Sequence, residues 1–418
     1  MGKDKKRQDR RRAANRRTVG LPAVLLVCMV VLCAVVLTLC VLYRPEKVEN
    51  QVAADAEEKT EEQDAAGSQT EEERIRQEAQ EILTRMTVEE KVGQMFIARC
   101  PEESAAKKAA EYHLGGYILF ARDFENKTEE QVISEIQSYQ EASALPMLIG
   151  VDEEGGSVTR ISRYPEFRDE PFASSQTLYE QGGLEAIEAD TLEKCELLAS
   201  LGINVNFAPV CDVSENPDDF MYERSFGQNA ELTAEYVRTV VEAMENQGVA
   251  CVLKHFPGYG SNADTHTGIA YDDRLYETFE TSDFLPFEAG IASGAQLVLV
   301  SHNVVSCIDS QYPASLSAKV HEILRGELGF SGVIVTDDLA MDAVRDFTDD
   351  SQAAVLAVQA GNDLLCCTDF EVQIPAVTAA VENGEISEER LNESVLRILE
   401  LKLSLGLLKE GTSMQAAE

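Results

Sequence analysis

Gly332-Val333-Ile334-Val335-Thr336-Asp337-Asp338-Leu339-Ala340-Met341 decides the fold. Four β-branched residues, Val333 to Thr336, run without a charge and stop at two adjacent carboxylates. Continuous rather than alternating apolar character is what a strand covered on both faces requires, as in a parallel sheet. The pattern recurs along the chain. Met95–Arg99, Tyr117–Phe120, Met147–Asp152, Asn204–Val210, Cys251–His255, Leu297–His302 and Asp363–Cys366 bring the runs to eight. Amphipathic stretches separate several of them: Glu129–Glu141, Leu184–Leu201, Ala230–Gln247 and Ser315–Leu328, with Ser387–Leu405 closing the series. Eight β-α units in about 330 residues read as an α/β protein, a (β/α)8 TIM barrel with modest insertions.

A doubly wound open sheet is the alternative. Polar residues favour the barrel, because they stand where the runs end: Arg99, Asp152, Asp212, Lys254 with His255, His302, and Asp337 with Asp338. In a barrel those ends converge on one mouth. No GxGxxG or GxxxxGK[ST] phosphate loop is present, which weighs against nucleotide chemistry on an open sheet.

The chain has 418 residues and a formal charge of -38, with 74 acidic against 36 basic side chains. A body that acidic repels nucleic acid. The ten cysteines form no CxxC pair, so neither a zinc site nor a disulfide framework is expected, and the thiols read as small apolar core residues.

The basic residues are unevenly spread. Nine Lys and Arg fall in residues 1–20, against Asp4 and Asp9. Residues 21–43 follow with no charge at all. As a helix this stretch reaches about 34 Å, enough to cross a hydrocarbon core of about 30 Å. The basic flank places the N-terminus in the cytoplasm. A cleaved signal peptide competes, but Leu39 is large where a lipoprotein site before Cys40 needs a small residue. Residues 44–73 are rich in Glu, Gln, Asp and Ala, a composition that favours disorder, with a reach of roughly 30 Å. The expected organisation is a cytoplasmic tail 1–20, a single-pass anchor 21–43, a tether 44–73, an extracellular catalytic barrel 74–410 and a tail 411–418.

Three strings could carry chemistry. Lys254-His255-Phe256-Pro257-Gly258-Tyr259-Gly260 leaves a strand with a buried-type cation and leads to Asp264-Thr265-His266. A carboxylate two residues from an imidazole can fix its tautomer and raise its basicity, which suits proton transfer near neutral pH. An Asx-turn beside an exposed His is the plain alternative. A metal is not expected, since no third ligand stands at a suitable spacing. Asp337-Asp338 is the second string: one carboxylate can face the mouth while the other serves a helix N-terminus, or both can be caps. Gly150-Val151-Asp152-Glu153-Glu154-Gly155-Gly156-Ser157-Val158-Thr159-Arg160 is the third; its Gly pair permits a tight turn and Arg160 can reach back as a fork donor. Arg224-Ser225-Phe226-Gly227 adds an Arg after the fourth run. An attacking carboxylate, a separate proton donor and charged groups for hydroxyls form a carbohydrate-site inventory, with no cofactor implied.

Taken with Asn206-Phe207-Ala208-Pro209-Val210-Cys211-Asp212, these strings resemble glycoside hydrolase family 3, in its β-N-acetylglucosaminidase branch, and stand in family order from about residue 80 to 410. The resemblance implies a retaining mechanism with Asp337 as nucleophile and His266 as acid/base, partnered by Asp264. It implies that Asp152, Arg160, Arg224, Lys254 and His255 bind N-acetylglucosamine, released from peptidoglycan-derived glycans or muropeptides. Departures touch the acid/base loop. Tyr259 stands where the family usually has His, the Gly260–Asp264 loop is one residue short, and Gly268-Ile269-Ala270 replaces Gly-Leu-Pro. The chain also leaves no room for the second domain that many relatives carry.

A phosphorylase is the second expectation, since a His acid/base repels incoming phosphate less than a carboxylate does. A catalytically silent, membrane-tethered wall-glycan-binding protein is the third, against which the retained Asp337, Asp264 and His266 weigh. A glucosidase of the same family ranks lower, because the Asp-x-His loop marks the N-acetyl branch.

Overall fold

The structure, a computed structural model, describes residues 70–245, 247–260 and 268–408. The basic tail 1–20, the apolar segment 21–43, most of the tether, the tail 411–418, and the site candidates Asp264 and His266 lie outside the described residues. Among the described residues no helix is long and apolar enough to cross a membrane.

The described residues form ten strands: β1 (Phe96–Arg99), β2 (Gly116–Leu119), β3 (Leu148–Val151), β4 (Val205–Asn206), β5 (Ala250–Phe256), β6 (Tyr271–Asp272), β7 (Leu297–Val300), β8 (Val304–Val305), β9 (Val333–Thr336) and β10 (Leu365–Cys367). Eight of them form one parallel sheet in the order β10-β1-β2-β3-β4-β5-β7-β9. A parallel bridge between Val335 and Leu364 joins the two ends and closes the barrel. Each of the eight apolar runs overlaps one of these strands. Asn204–Val210 narrows to two residues of strand because Pro209 has no N–H to donate, although Val210 still bridges Lys254. The two remaining short strands, β6 and β8, pair with each other outside the barrel and were not foreseen.

Several helices begin where side chains cap them. Thr70 with Glu73, Thr87 with Glu90 and Thr128 with Gln131 form capping boxes, each satisfying two backbone N–H groups that the helix leaves unpaired. Residues 71–73, assigned by composition to the tether, are therefore the first turn of the helix Glu71–Leu83. The helix expected at Leu184–Leu201 is the second part of Ser175–Leu201, which breaks at Gly182–Gly183, where Gly183 has φ 64°. The stretch Ser315–Leu328 is instead a 3-10 turn, the short helix Ala318–Glu322 and a π turn.

The strands pack their apolar side chains into one core; burying each large one contributes roughly 1.5–3 kcal/mol. Gly150 in β3 leaves room for the ring of Phe207, which a Cβ there would meet at 2.7 Å. Beneath the barrel, Asp363 is fully buried and accepts from Ser394 Oγ at 2.8 Å, Arg397 at 3.0 Å and the Ile334 N–H at 3.0 Å. Arg325 reaches it at 2.5 Å, tying β9, β10 and the final helix Glu388–Ser404 together. Cys100, Cys195, Cys211, Cys251, Cys366 and Cys367 are buried as expected, whereas Cys307 is exposed.

Candidate active site

The strand ends on one face of the barrel enclose a cavity of about 300 Å³. Asp152, Arg160, Arg224, Lys254, His255 and Asp337 all line it. Six of the eight candidate residues are thus brought together from four parts of the sequence. The other two, Asp264 and His266, fall in the segment outside the described residues.

Strand β5 explains Lys254. All seven of its residues are buried, and the Lys254 side chain is 2% exposed, a position that water cannot stabilise. Two carboxylates compensate: Asp152 at 2.7 Å and Glu154 at 2.6 Å. Burial pushes the Lys254 ammonium towards the neutral form, but Asp152 and Glu154 overcome that and hold it charged. Glu154 receives a fork from Arg224 as well, at 3.1 and 2.7 Å. Burial alone would raise its carboxyl; Lys254 and Arg224 together hold it well below the usual carboxylate range. Arg224 extends its second nitrogen to within 3.4 Å of His255 Nε2.

His255 is fixed from the other side. Asp212 Oδ2 lies 2.7 Å from its Nδ1, while the Tyr259 N–H donates to Asp212 Oδ1 at 2.8 Å. A carboxylate on Nδ1 orients the ring, so that Nε2 addresses the cavity side. Tyr259 packs with Val210 and Met221 in a small apolar cluster, its ring edge-on to His255 at 5.6 Å.

The Gly-rich loop after β3 folds around a residue that sequence reasoning passed over. Glu153 is fully buried and accepts the N–H groups of Arg160 and Ile161 at 2.8 Å each, and the Ser162 hydroxyl at 2.5 Å. Gly155 and Gly156 take positive φ, 97° and 62°, as the tight turn demands. The loop delivers Arg160 to 3.8 Å from Asp152, looser than the expected fork. Arg160 lies over the Phe120 ring at 5.7 Å, and Arg99 shares that ring at 4.7 Å.

The aspartate pair divides its duties. Both line the cavity, and Asp337 Oδ1 accepts the Asp338 N–H at 2.8 Å. Asp338 caps no helix. It accepts from Ala340 N at 2.9 Å and from Thr368 Oγ1 at 2.6 Å, binding the end of β9 to the end of β10. His302, expected at the mouth, is buried behind it, with Nδ1 2.7 Å from Ser315 Oγ and Nε2 3.0 Å from the Asp338 carbonyl oxygen. It braces the backbone next to Asp337 and does not line the cavity.

The sequence pattern assigns Glu153 and Glu154 no task of their own, and marks Asp212 and Arg99 only as strand ends. The readable signal for Glu154 was charge balance: a cation inside a buried strand requires carboxylates nearby. A carboxylate facing a cavity walled by ammonium, guanidinium and imidazole can attack an electrophilic carbon while its neighbours grip hydroxyl or amide groups.

Residues 87–401 match the glycosyl hydrolase family 3 N-terminal domain. A beta-hexosaminidase A of Pseudoalteromonas piscicida is 34% identical over 325 residues, covering 70% of this chain and 54% of its own length. A beta-hexosaminidase of Nitrosomonas eutropha is 35% identical over 308 residues, covering 69% of this chain and 85% of its own. Among solved structures, a family 3 beta-N-acetylglucosaminidase from Paenibacillus sp. str. FPU-7 superimposes with a TM-score of 0.72 at 34% identity, covering 78% of this chain and 65% of that one. The chain thus spans about half the length of the Pseudoalteromonas relative.

Proposed function

The chain belongs to glycosyl hydrolase family 3, and from that membership we propose that it is a retaining exo-β-N-acetylglucosaminidase. The carrying observation is the convergence of Asp337 with Asp152, Lys254, Arg224 and His255 on one cavity. Relatives named beta-hexosaminidase support the N-acetylamino sugar as the substrate class.

In the first step an Asp337 oxygen attacks the anomeric carbon. The glycosidic bond breaks with its electron pair on the leaving oxygen, which takes the proton carried by His266. A glycosyl-enzyme ester results. In the second step His266 removes a proton from water, the water oxygen attacks the same carbon, and Asp337 departs as carboxylate. Asp264 holds the imidazole in the tautomer that both steps require. Asp152, Arg160, Arg224, Lys254 and His255 bind the sugar by charge-assisted hydrogen bonds.

The substrate we propose is peptidoglycan-derived glycan or muropeptide with a terminal β-linked N-acetylglucosamine. Residues 21–43 would hold the barrel at the outer face of the membrane, by their uncharged length and basic flank. Turnover of an aryl β-N-acetylglucosaminide by the full chain, with the aryl β-glucoside in parallel, tests the reading. Release from the N-acetyl sugar alone is expected. Release that requires phosphate makes the chain a phosphorylase, and no release from either sugar by the folded protein overturns the enzyme reading.

A further inference from the structure

Arg274 joins the two stretches of chain that flank residues 261–267. On the entering side, it donates to the Gly258 carbonyl at 3.4 Å. Gly260 sits so close that a Cβ there would stand 2.5 Å from the guanidinium carbon. A Cβ on Gly258 would collide with Asp283, the partner of that guanidinium. On the returning side, Arg274 donates Nε to both oxygens of Asp272 at 3.0 Å and a second nitrogen to Asp272 Oδ2 at 2.8 Å. Its remaining nitrogen donates to both oxygens of Asp283, at 3.0 and 2.9 Å.

Nothing in this cluster has slack. Asp272 and Asp283 are each 1% exposed, and the Arg274 guanidinium lies over the Phe279 ring at 4.4 Å. The returning chain is held a second time, because Tyr271 and Asp272 pair with Val304 and Val305, just beyond β7. One planar cation therefore reads the position of the chain before residue 261 and after residue 267. A Lys could supply the charge but not the fork that meets two carboxylates and a carbonyl at once.

We infer that Arg274 is a positioning residue for proton transfer: its guanidinium, shared by Asp272 and Asp283, sets the footing from which the chain delivers the acid/base imidazole. This rests on the reading above, in which His266 carries the proton. A cluster that only stabilises the fold would, when weakened, lower turnover of every substrate alike. A cluster that positions the acid acts on the leaving oxygen in proportion to its need for a proton.

The test compares kcat/KM of the full chain and its R274K variant on 2,4-dinitrophenyl β-N-acetylglucosaminide and on a disaccharide with terminal β-linked N-acetylglucosamine. That quantity reports the glycosylation step alone for both substrates. The expected result is a loss at least tenfold greater on the disaccharide, whose leaving alkoxide needs protonation. Equal losses on both substrates, or no loss on either, overturn the inference. G260A, which pushes the entering chain off the guanidinium without removing a charge, should give the same selective loss; it decides the matter if R274K does not fold. Lack of turnover by the unaltered chain overturns the hydrolase reading itself. Normal turnover with an unselective R274K and G260A overturns this inference alone.

Discussion

Lys254 Nζ stands 2.7 Å from Asp152 Oδ1 although their strands, β5 and β3, are separated in the sheet by β4. The contact spans β4, so it is made only when these three neighbouring strands have paired and curved around the barrel interior. It also places a cation and a carboxylate, both needed to grip a polar ligand, at a fixed spacing before any ligand arrives.

Replacing Lys254 by Met preserves much of the volume and leaves Asp152 and Glu154 without their shared cation. Breaking a buried ion pair from one side typically costs about 3–5 kcal/mol. The expected outcome is a loss of that order in urea unfolding, with KM raised for any substrate still turned over. A variant as stable as the parent would mean that the pair is more hydrated than its 2% exposure implies.

Asp337→Asn and Asp338→Asn separate chemistry from support. Asp337→Asn removes the attacking oxygen's charge and should lower kcat on the order of 10⁴-fold or more. Asp338→Asn weakens the tie to Thr368, which lies 2.6 Å away, and should cost about 1–3 kcal/mol of stability. Its effect on kcat should be far smaller. Kinetics and melting on the same preparations check both, and a reversal of the two phenotypes would exchange the assigned roles.

The contrast between these neighbours shows what was legible in the sequence. Runs such as Val333–Thr336 carry their own signal, because a strand covered on both faces admits few polar side chains. The positions of the strand ends follow, and with them Asp152, Lys254, His255 and Asp337. Both adjacent carboxylates line the cavity, and which of them is tied down depends on Thr368 beside β10, thirty residues downstream, which no local pattern encodes. His302 misled for the same reason. It ends a strand run as a catalytic residue does, yet it meets Ser315 and the Asp338 carbonyl, both supplied by tertiary contact. The β6–β8 pair was invisible because two-residue strands leave no periodicity to detect.

His266→Ala should slow the disaccharide far more than a dinitrophenyl glycoside when the two are compared by kcat/KM. An activated phenolate departs without a proton, whereas an alkoxide needs one, and a positioned general acid typically contributes about 10²–10⁴-fold. Losses of equal size on both substrates would remove His266 from the acid role and turn attention to His255, whose ring is already held by Asp212 at 2.7 Å.

Lys402 gives the fold a pH dependence that is separable from catalysis. Its ammonium is fully buried in the final helix and meets Gln94 Oε1 at 2.6 Å. Burial pulls its pKa down to about 7 from an ordinary 10.5. The unfolded chain therefore binds more protons than the folded one between these values, and stability rises with pH there. From pH 7 to 8.5 the gain should be roughly 1.5 kcal/mol. Six buried thiols, raised from 9.0, oppose this gain towards pH 8.5, where the thiols of the unfolded chain begin to lose protons, but they are common to the parent and to a Lys402 variant. Lys402→Met removes the titrating group, so the parent should gain roughly 1.5 kcal/mol relative to this variant across the window, and the variant should be the more stable of the two at pH 7. Urea unfolding at pH 7.0, 7.75 and 8.5 measures both slopes. Equal slopes in parent and variant would show that Lys402 stays charged in the fold.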